Sequence, residues 1–304
     1  MINSKHLIDK VEEFYAKKAA ERSFSAFLNE YKLSDVDDYD KVKYAYKAAV
    51  FDREKALYSG DEKTAKEKDA EAARLKVVLD KITSSVPGES PSYECELCKD
   101  TGRLKNGYCK CFLSKVISEA YAFLGLKRPH LKSFQDDVFS AVNKTETLKN
   151  KLIEYADDFS KREKNIYLCG GAGAGKTFYA QCVTDRLEKN GFTPLFLTAF
   201  ELNDIATGLF TKSASEKTIT DDILSTCDLL VIDDLGSEPV YGKVTVEKIN
   251  TIVTRRSELK KPLFITTNLM TDEILSRYGE RIFSRITGKN TVILQLNGKD
   301  LRKM

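Results

Sequence analysis

The chain has 304 residues, of which 31% are charged and 42% hydrophobic, a balance typical of a globular protein of one large or two modest domains. Its 49 basic and 46 acidic residues give a net charge of +3, which argues neither for nor against a nucleic-acid partner. No run approaches about eighteen apolar residues, and the charged N-terminus is unlike a signal peptide, so we expect a cytoplasmic protein without membrane contact.

The N-terminal region, residues 1–90, is predicted to be helical. Apolar residues recur at the spacing of one helix face near its start, at Leu7, Val11 and Phe14. A second helix is predicted over residues 40–58, and Gly60 suits a tight turn into a third. Charged helices joined in this way form a hairpin that is either a solvated scaffold or a partner-binding module. Amphipathicity alone does not separate these two interpretations.

The third helix carries its own apolar stripe, formed by Leu75, Val78, Leu79 and Ile82. Two caps compete at its start, because Ser59 and Glu62 resemble a capping box while Asp61 is a rival cap. The following stretch SSVPGESPS, at 84–92, is rich in Pro, Gly and Ser. That composition is typical of a linker, so we predict a domain boundary there.

Four of the seven cysteines lie close together, as a C-x-x-C pair, Cys95 and Cys98, and a C-x-C pair, Cys109 and Cys111. Disulfides are rare in the cytoplasm, whereas four thiolates satisfy the tetrahedral coordination of Zn²⁺. Asn106-Gly107 is a preferred two-residue hairpin turn that would bring the pairs face to face. A redox C-x-x-C expects a thioredoxin-like context that is missing here. We therefore predict a structural zinc segment rather than four ordinary buried thiols.

The stretch NIYLCGGAGAGKTF contains the P-loop pattern, Gly170-x4-Gly175-Lys176-Thr177. A short apolar run precedes it and a helical run follows it, a placement that disfavours a mere glycine-rich turn. Glycines let backbone amides surround phosphate oxygens, and the helix N-terminus adds partial positive charge. We expect Lys176 to reach the β- and γ-phosphates of a nucleotide and Thr177 to bind Mg²⁺.

Two further buried strands end in polar residues. The apolar run 229–232 is followed by Asp233 and Asp234, which in isolation could cap a helix but after a P-loop indicate a Walker B motif. Asp233 would hold Mg²⁺ through water, and Asp234 lies where it could polarise the attacking water. The strand 262–268 ends in Asn268, whose amide could orient water or touch the γ-phosphate.

Five predicted strands alternate with helical runs, as a parallel α/β sheet requires. They cover residues 165–169, 193–199, 229–232, 262–268 and 291–296. After these motifs, YGERIFSRITG places Arg281 and Arg285 on one helix face. They are either exposed basic residues and salt-bridge partners, or an arginine finger that enters a neighbouring subunit's ATP site.

In this order, GGAGAGKT, LLVIDDLG, FITTN and ERIFSRI resemble AAA+ ATPases of the DnaC/DnaI helicase-loader type, including the related IstB-like transposition helpers. The segment CELCKDTGRLKNGYCKC resembles one that precedes the ATPase in many loaders of Gram-positive bacteria and phages, and LKSFQDDVF (131–139) resembles the family's approach to the ATPase domain. The resemblance covers residues 93–304, whereas residues 1–90 match only in being helical.

The resemblance implies site assignments. The ATP-binding Walker A positions would be Gly170, Gly171, Ala172, Gly173, Ala174, Gly175, Lys176, Thr177 and Phe178. Thr177 and Asp233 would bind Mg²⁺, Asp234 and Asn268 would act in catalysis, and Arg285 matches the arginine-finger position better than Arg281. The run FELNDIATGLFTKSASEKTI would face single-stranded DNA, with Lys212 and Lys217 either contacting phosphates or lying on a solvated loop.

The resemblance also implies an architecture: an AAA+ five-stranded parallel sheet without a helical lid, since only eight residues follow the last strand. The expected domains are a helical partner-binding region (1–90), a zinc segment (91–115), a linker (116–145) and the ATPase domain (146–304). Arg302 is the only terminal candidate for a second sensor arginine. Aspartate at 234, where many AAA+ enzymes carry glutamate, implies slow hydrolysis.

The expected function is ATP-dependent loading of a replicative hexameric helicase onto single-stranded DNA, with AAA+ domains that self-associate and share ATP across subunits. The expected cofactors are ATP, Mg²⁺ and Zn²⁺. The alternative is an IstB-like transposition helper, which the four-cysteine segment disfavours. A P-loop small-molecule kinase would need a substrate-binding lid, and the sequence contains none.

Overall fold

The computed structural model describes residues 1–34, 36, 38–85, 93–138, 140, 145–161, 164–239 and 243–296. Residues 86–92, most of the predicted linker SSVPGESPS, and Arg302 lie outside these residues. The chain divides into two compact units, one of Phe14–Thr101 and one that joins Met1–Glu13 to Gly102–Met304. The domain boundaries at residues 90, 115 and 145 stay predictions. A search of the described helices finds none that is both long and apolar enough to cross a bilayer.

Three helices account for most of the Phe14–Thr101 unit: α1 (Lys5–Ser34), α2 (Tyr39–Ser59) and α3 (Glu62–Ser85). The first turns of α1 belong to the other unit, where Leu7 and Val11 are buried. Gly60 adopts a left-handed φ of 76° between α2 and α3, as the predicted turn requires. The prediction of a helical N-terminal region is therefore confirmed.

The cap of α3 is Asp61. Its Oδ1 accepts a hydrogen bond from the Thr64 amide at 3.1 Å, which satisfies a backbone donor in the first turn. The Ser59 hydroxyl instead donates to the Ala56 carbonyl within α2, at 3.0 Å. Of the two caps predicted from the sequence, the alternative based on Ser59 is wrong.

The helical hairpin has a narrow buried seam made of small residues: Ala49, Ala56, Ala65 and Ala72. The predicted stripe of larger residues on α3 is less buried than its spacing suggests, and Val78 is 43% exposed. Small side chains let two helices approach closely. The narrow interface that results has no room to bury larger side chains. The seam therefore cannot bury every apolar side chain of these helices.

The second unit contains the sheet. Its first elements are β1 (Arg103–Leu104), β2 (Gly107–Tyr108), α4 (Lys110–Phe123), α5 (Glu146–Asp157), β3 (Asn165–Gly170), α6 (Lys176–Lys189), β4 (Leu195–Thr198) and α7 (Ala199–Gly208). They are followed by α8 (Ala214–Thr226), β5 (Leu230–Leu235), α9 (Lys243–Glu258), β6 (Leu263–Thr267), α10 (Thr271–Tyr278), α11 (Glu280–Ile286) and β7 (Thr291–Leu296).

The five longer strands form one parallel sheet in the order β4-β5-β6-β3-β7. Parallel neighbours need long crossovers, and helices supply them here, so the strands are covered on both faces. The central strands are accordingly buried along nearly their whole length, and Leu168, Val231 and Phe264 belong to one apolar cluster. The predicted five-stranded parallel sheet is confirmed.

The β4 edge of the sheet is closed by a side chain from α4. The Tyr121 hydroxyl donates to the Phe196 carbonyl at 2.9 Å and accepts from the Phe196 amide at 2.9 Å. Burial raises the pKa of Tyr121 well above its usual range, so the hydroxyl keeps the proton that it donates. Tyr121 thus pairs with the amide and the carbonyl of Phe196, which would otherwise be open on the outer side of an edge strand.

The small hairpin β1–β2 is present, but its turn differs from the prediction by one residue. Leu104 pairs with Gly107, which leaves Lys105 and Asn106 as the two turn residues. Gly107 lies on the second strand with φ 134°, a conformation that side chains rarely adopt. The predicted hairpin is therefore present, but the prediction that Asn106 and Gly107 form its turn is wrong by one residue.

Arg256, near the end of α9, is fully buried in the second unit. Its guanidinium donates to the carbonyls of Leu224 at 2.8 Å, Cys227 at 3.1 Å and Pro262 at 2.7 Å. These carbonyls come from the end of α8 and the approaches to β5 and β6, so one side chain joins three connections at the same end of the sheet.

We predict that Arg256→Ala lowers the free energy of unfolding by roughly 3 kcal/mol, because it removes these bonds and leaves buried carbonyls unpaired. The measurement is the urea midpoint of the full chain. Arg255→Ala is the matched control, since Arg255 forms only partly exposed ion pairs with Asp221 and Asp222, and should change stability by under about 1 kcal/mol. Equal effects of the two variants would contradict a structural role for Arg256.

Candidate functional site

The predicted P-loop connects β3 to α6 at the carboxyl edge of the sheet. A Cβ on Gly170 would lie 2.2 Å from the Leu296 carbonyl oxygen of the adjacent strand, so any side chain there would clash. Gly173 and Gly175 have left-handed φ values of 71° and 103°. Gly170 is thus required by a close approach, and Gly173 and Gly175 by backbone conformation, while α6 begins directly behind them.

Lys176 is buried at the mouth of this loop. Its ammonium donates to the carbonyls of Gly170 at 3.0 Å and Gly171 at 2.8 Å, and to Asn268 Oδ1 at 2.6 Å. The structure therefore brings together the predicted Walker A lysine and the predicted sensor residue, which are 92 residues apart in the chain.

The predicted Mg²⁺ ligands also meet. Thr177 donates its hydroxyl hydrogen bond to Asp233 Oδ2 at 2.9 Å, and Thr266 donates to Asp233 Oδ1 at 2.6 Å. Burial raises the pKa of Asp233, while the two hydroxyl donors oppose that rise. A nearby cation would favour the charged carboxylate, and a carboxylate beside a hydroxyl is an oxygen donor set that fits Mg²⁺.

Asp234 faces the same region as Asp233, although consecutive strand residues normally point to opposite faces. The pairing of β5 with β6 shifts register between Ile232 and Leu235, and Asp234 has a left-handed φ of 57°. This irregularity re-aims its side chain, whose Oδ1 accepts a hydrogen bond from Asn268 Nδ2 at 3.0 Å. Asn268 therefore bridges Lys176 and Asp234.

Sequence reasoning missed two residues that hold this edge together. Thr266 contacts the Asp233 carboxylate and also accepts from the Asp234 amide, at 2.8 Å. Glu238 is buried, accepts from the Gly236 amide at 2.8 Å and contacts the Tyr278 hydroxyl, while its carbonyl accepts from Arg277 at 2.6 Å. The run ITTN at the end of β6 was a sequence signal that could have indicated Thr266. No comparable signal indicates Glu238, because a single glutamate after a strand is common.

Other predicted site residues take no part in the side-chain contacts described above. Ala172 is exposed, Ala174 is buried, and Phe178 packs against the core at the first turn of α6. In the run predicted to face DNA, Lys217 is exposed on α8, and the Lys212 ammonium lies 5.7 Å from the centre of the Phe123 ring. The predicted roles of these residues stay predictions.

Arg285 is not brought to the P-loop of its own chain. Its carbonyl accepts from Asn165 Nδ2 at 3.3 Å, and its guanidinium donates to the Arg281 carbonyl at 2.9 Å. Asn165 is the first residue of β3 and Gly170 the last. At about 3.3 Å per residue, these two ends of the strand are roughly 16 Å apart. Arg285 therefore lies at the opposite edge of the sheet from the nucleotide-binding motif.

The four clustered cysteines also converge. The sulfur atoms of Cys95, Cys98, Cys109 and Cys111 all lie within 4.8 Å of one another. Zinc–thiolate bonds of about 2.3 Å in a tetrahedron place sulfurs about 3.8 Å apart, so the donor type and the spacing both fit Zn²⁺.

Backbone contacts support each cysteine pair. The carboxylate of Asp100 accepts from the amides of Glu94 at 3.1 Å and Cys95 at 2.7 Å, and forms an ion pair with Arg22 of α1. The Cys109 amide donates to the Gly102 carbonyl at 2.8 Å. Asp100 thus positions the backbone at the first cysteine pair, and Gly102 positions the backbone at Cys109 of the second pair.

Comparisons with known proteins identify relatives of this chain. The replicative helicase loader DnaC of Escherichia coli strain K12 is 31% identical over 156 residues, 50% of this chain and 62% of DnaC. The replicative helicase loader DnaI of Bacillus subtilis strain 168 is 24% identical, over 45% of each chain. The chain thus spans less than two thirds of the curated relatives it matches. A crystal structure of the DnaC helicase loader aligns with 48% of this chain and 86% of that chain, at 25% identity and a TM-score of 0.42.

The model of the IstB-like ATP binding protein family matches residues 126–303, which is more than half of the chain. The matched region contains the P-loop, both aspartates after β5 and Asn268, whose side chains meet at one edge of the sheet. The resemblance stated from the motifs is confirmed, and the chain belongs to the IstB-like ATP binding protein family.

Proposed function

We propose that this protein uses ATP to load a replicative hexameric helicase onto single-stranded DNA. The supporting observation is that the predicted nucleotide-binding residues meet at one edge of the sheet, in a chain whose curated relatives are replicative helicase loaders. The alternative is an IstB-like transposition helper, because the chain belongs to the IstB-like ATP binding protein family. A cytoplasmic location is part of the proposal.

In the proposed reaction, the amides of residues 170–175 and the Lys176 ammonium bind the phosphates of ATP. Thr177 and Asp233 would hold Mg²⁺, which would supply positive charge that neutralises the phosphates. Asp234 orients the attacking water, and Asn268 fixes that carboxylate through its 3.0 Å hydrogen bond. Because Asn268 also accepts from Lys176, it links phosphate binding to the position of Asp234. We expect slow hydrolysis that a partner stimulates.

The Phe14–Thr101 unit offers a surface for the helicase. Phe24, Phe27 and Tyr31 lie on one face of α1 and are each more than 60% exposed. Tyr44, Phe51 and Tyr58 recur every seven residues along α2, and Tyr58 is 97% exposed. Exposed aromatic residues arranged along helix faces mark protein interaction sites more often than solvated scaffolds. This exposure favours the partner-binding interpretation of the N-terminal helices.

We predict that the full chain copurifies with the replicative helicase of its own host, and that the double variant Phe51→Ser/Tyr58→Ser weakens this binding at least tenfold. Each substitution removes a large apolar contact without disturbing the alanine seam. The measurement is the dissociation constant by light scattering or interferometry. Lys55→Ser/Glu62→Ser is the control on the same hairpin. Copurification with a transposase instead of the helicase would favour the alternative function.

We predict that Lys176→Ala abolishes ATP binding, whereas Asp234→Asn retains binding and lowers the hydrolysis rate about a hundredfold. The first change removes a cation that contacts phosphate, and the second removes only a group that orients water. Fluorescent-nucleotide titration and phosphate release measure the two effects. Lys189→Ala, at the far end of α6, should leave both unchanged. An unchanged rate for Asp234→Asn would exclude the water-orienting role.

We predict that the purified chain holds one Zn²⁺ and that Cys95→Ser lowers zinc affinity at least tenfold. Mass spectrometry under native conditions and a chromophoric chelator measure the stoichiometry and the affinity. Cys182→Ser is the control because Cys182 is buried on α6, outside the cluster. Equal zinc affinity in the two variants would show that the cluster is not a metal site.

A further inference from the structure

The turn that follows β5 holds Asp234 in a conformation that needs support from its surroundings. Asp234 and Gly236 have left-handed φ values of 57° and 106°, and the Ser237 amide donates to the Asp234 carbonyl at 3.1 Å. Few residues other than glycine adopt this conformation, and they keep it only where surrounding contacts fix them. The direction of the Asp234 side chain therefore depends on what holds this turn.

Glu238 holds the turn from its buried side. Its side chain is fully buried, and its Oε2 accepts a hydrogen bond from the Gly236 amide at 2.8 Å. Its Oε1 accepts from the Tyr278 hydroxyl, and the Arg277 Nε lies 3.8 Å from the same oxygen. Burial raises the pKa of Tyr278 well above its usual range, so this hydroxyl keeps the proton that it donates. Both carboxylate oxygens thus fix the turn against α10.

The contact with Tyr278 also joins the turn to the loop that carries Asn268. Asn268 directly follows β6, and α10 begins three residues later and ends at Tyr278. The path from Asn268 along α10 to Tyr278, across to Glu238 and back along the turn to Asp234 closes at the 3.0 Å hydrogen bond between Asn268 and Asp234. Loss of the link between Glu238 and Tyr278 would open this circuit.

Other hydrogen bonds join the same elements closer to the sheet. The Thr267 hydroxyl donates to the Leu235 carbonyl at 2.6 Å, and the Tyr167 hydroxyl of β3 donates to the Leu269 carbonyl at 3.0 Å. These bonds connect β3, β5 and β6 without Glu238. Loss of the outer link should therefore loosen Asp234 while the sheet stays folded.

Stability alone does not account for a buried carboxylate at this place. Removing a charge from water costs free energy, and well-packed apolar residues of similar size are often as stable or more so. What the Glu238 carboxylate adds is a directional bond to the Gly236 amide, two residues from Asp234. Such bonds behind a reacting group hold that group in the geometry that the reaction requires.

We propose that Glu238 and Tyr278 are positioning residues for ATP hydrolysis, which fix the turn after β5 so that the Asp234 carboxylate faces the attacking water. This inference rests on the proposed ATPase function and adds two residues that act behind Asp234. Their loss should slow the chemical step and leave nucleotide binding intact, because the P-loop and Lys176 lie on other elements.

The first test removes a single oxygen atom, since Tyr278→Phe lacks only the hydroxyl that contacts Glu238. We expect this variant to lower kcat about tenfold and to change ATP affinity by less than about twofold. Glu238→Gln keeps an oxygen that can accept a hydrogen bond, so it should retain more activity than Glu238→Ala. Tyr155→Phe is the matched control, because it removes another buried tyrosine hydroxyl, which donates to the Lys164 carbonyl at 3.0 Å.

A double variant tests whether the effect passes through Asp234. If Tyr278 acts by holding that carboxylate, Tyr278→Phe should lower kcat by less than about twofold in a chain that already carries Asp234→Asn. Release of labelled phosphate over hours measures these slow rates, and the urea midpoint of each full-chain variant verifies its folding.

The outcomes separate this inference from the proposed function. An unchanged kcat in Tyr278→Phe would overturn the inference and leave the ATPase function in place. A further loss of about tenfold on the Asp234→Asn chain would also overturn it, because the residues would then act independently. An equal loss in Tyr155→Phe would assign the effect to stability instead. Failure of the unaltered chain to hydrolyse ATP, with helicase and single-stranded DNA present, would overturn both.

Discussion

The carboxylate of Asp233 holds together the predicted nucleotide-binding edge of the sheet. It accepts one hydrogen bond from Thr177 at the start of α6 and another from Thr266 near the end of β6. Three elements that are distant in the chain are thereby held at one place, because parallel strands end at the same edge of the sheet. The neighbouring Asp234 and Asn268 take their positions from this arrangement, since Thr266 also binds the Asp234 amide.

Much of the fold and the site could be predicted from local patterns. Apolar runs bounded by polar residues indicated all five strands, and motif spacing indicated Lys176, Thr177 and Asp233. The contacts of Thr266 and Glu238 could not be predicted, because they depend on strand register and on packing between elements distant in sequence. The irregular pairing after Ile232, which turns Asp234 toward Asn268, is likewise a property of two strands together.

The N-terminal helices show the limits of periodicity. Helical spacing predicted α2 and α3 well, but it also suggested that Val78 belongs to a buried stripe. The seam is formed by alanines, and larger apolar residues remain exposed. Spacing identifies which residues share a face, whereas burial depends on what packs against that face. The same exposure supports a docking role for Phe51 and Tyr58.

The contact between the Tyr121 hydroxyl of α4 and the outer strand β4 determines where the chain can be cut. Tyr121 precedes residue 126, where the match to the family begins. A fragment cut at that position would lose α4 and uncover the Phe196 amide and carbonyl. Exposed edge strands of this kind pair with strands of other molecules, so such a fragment would tend to aggregate. The helix α4 is therefore part of the smallest folded unit that contains the sheet, even though the match to the family model starts after it.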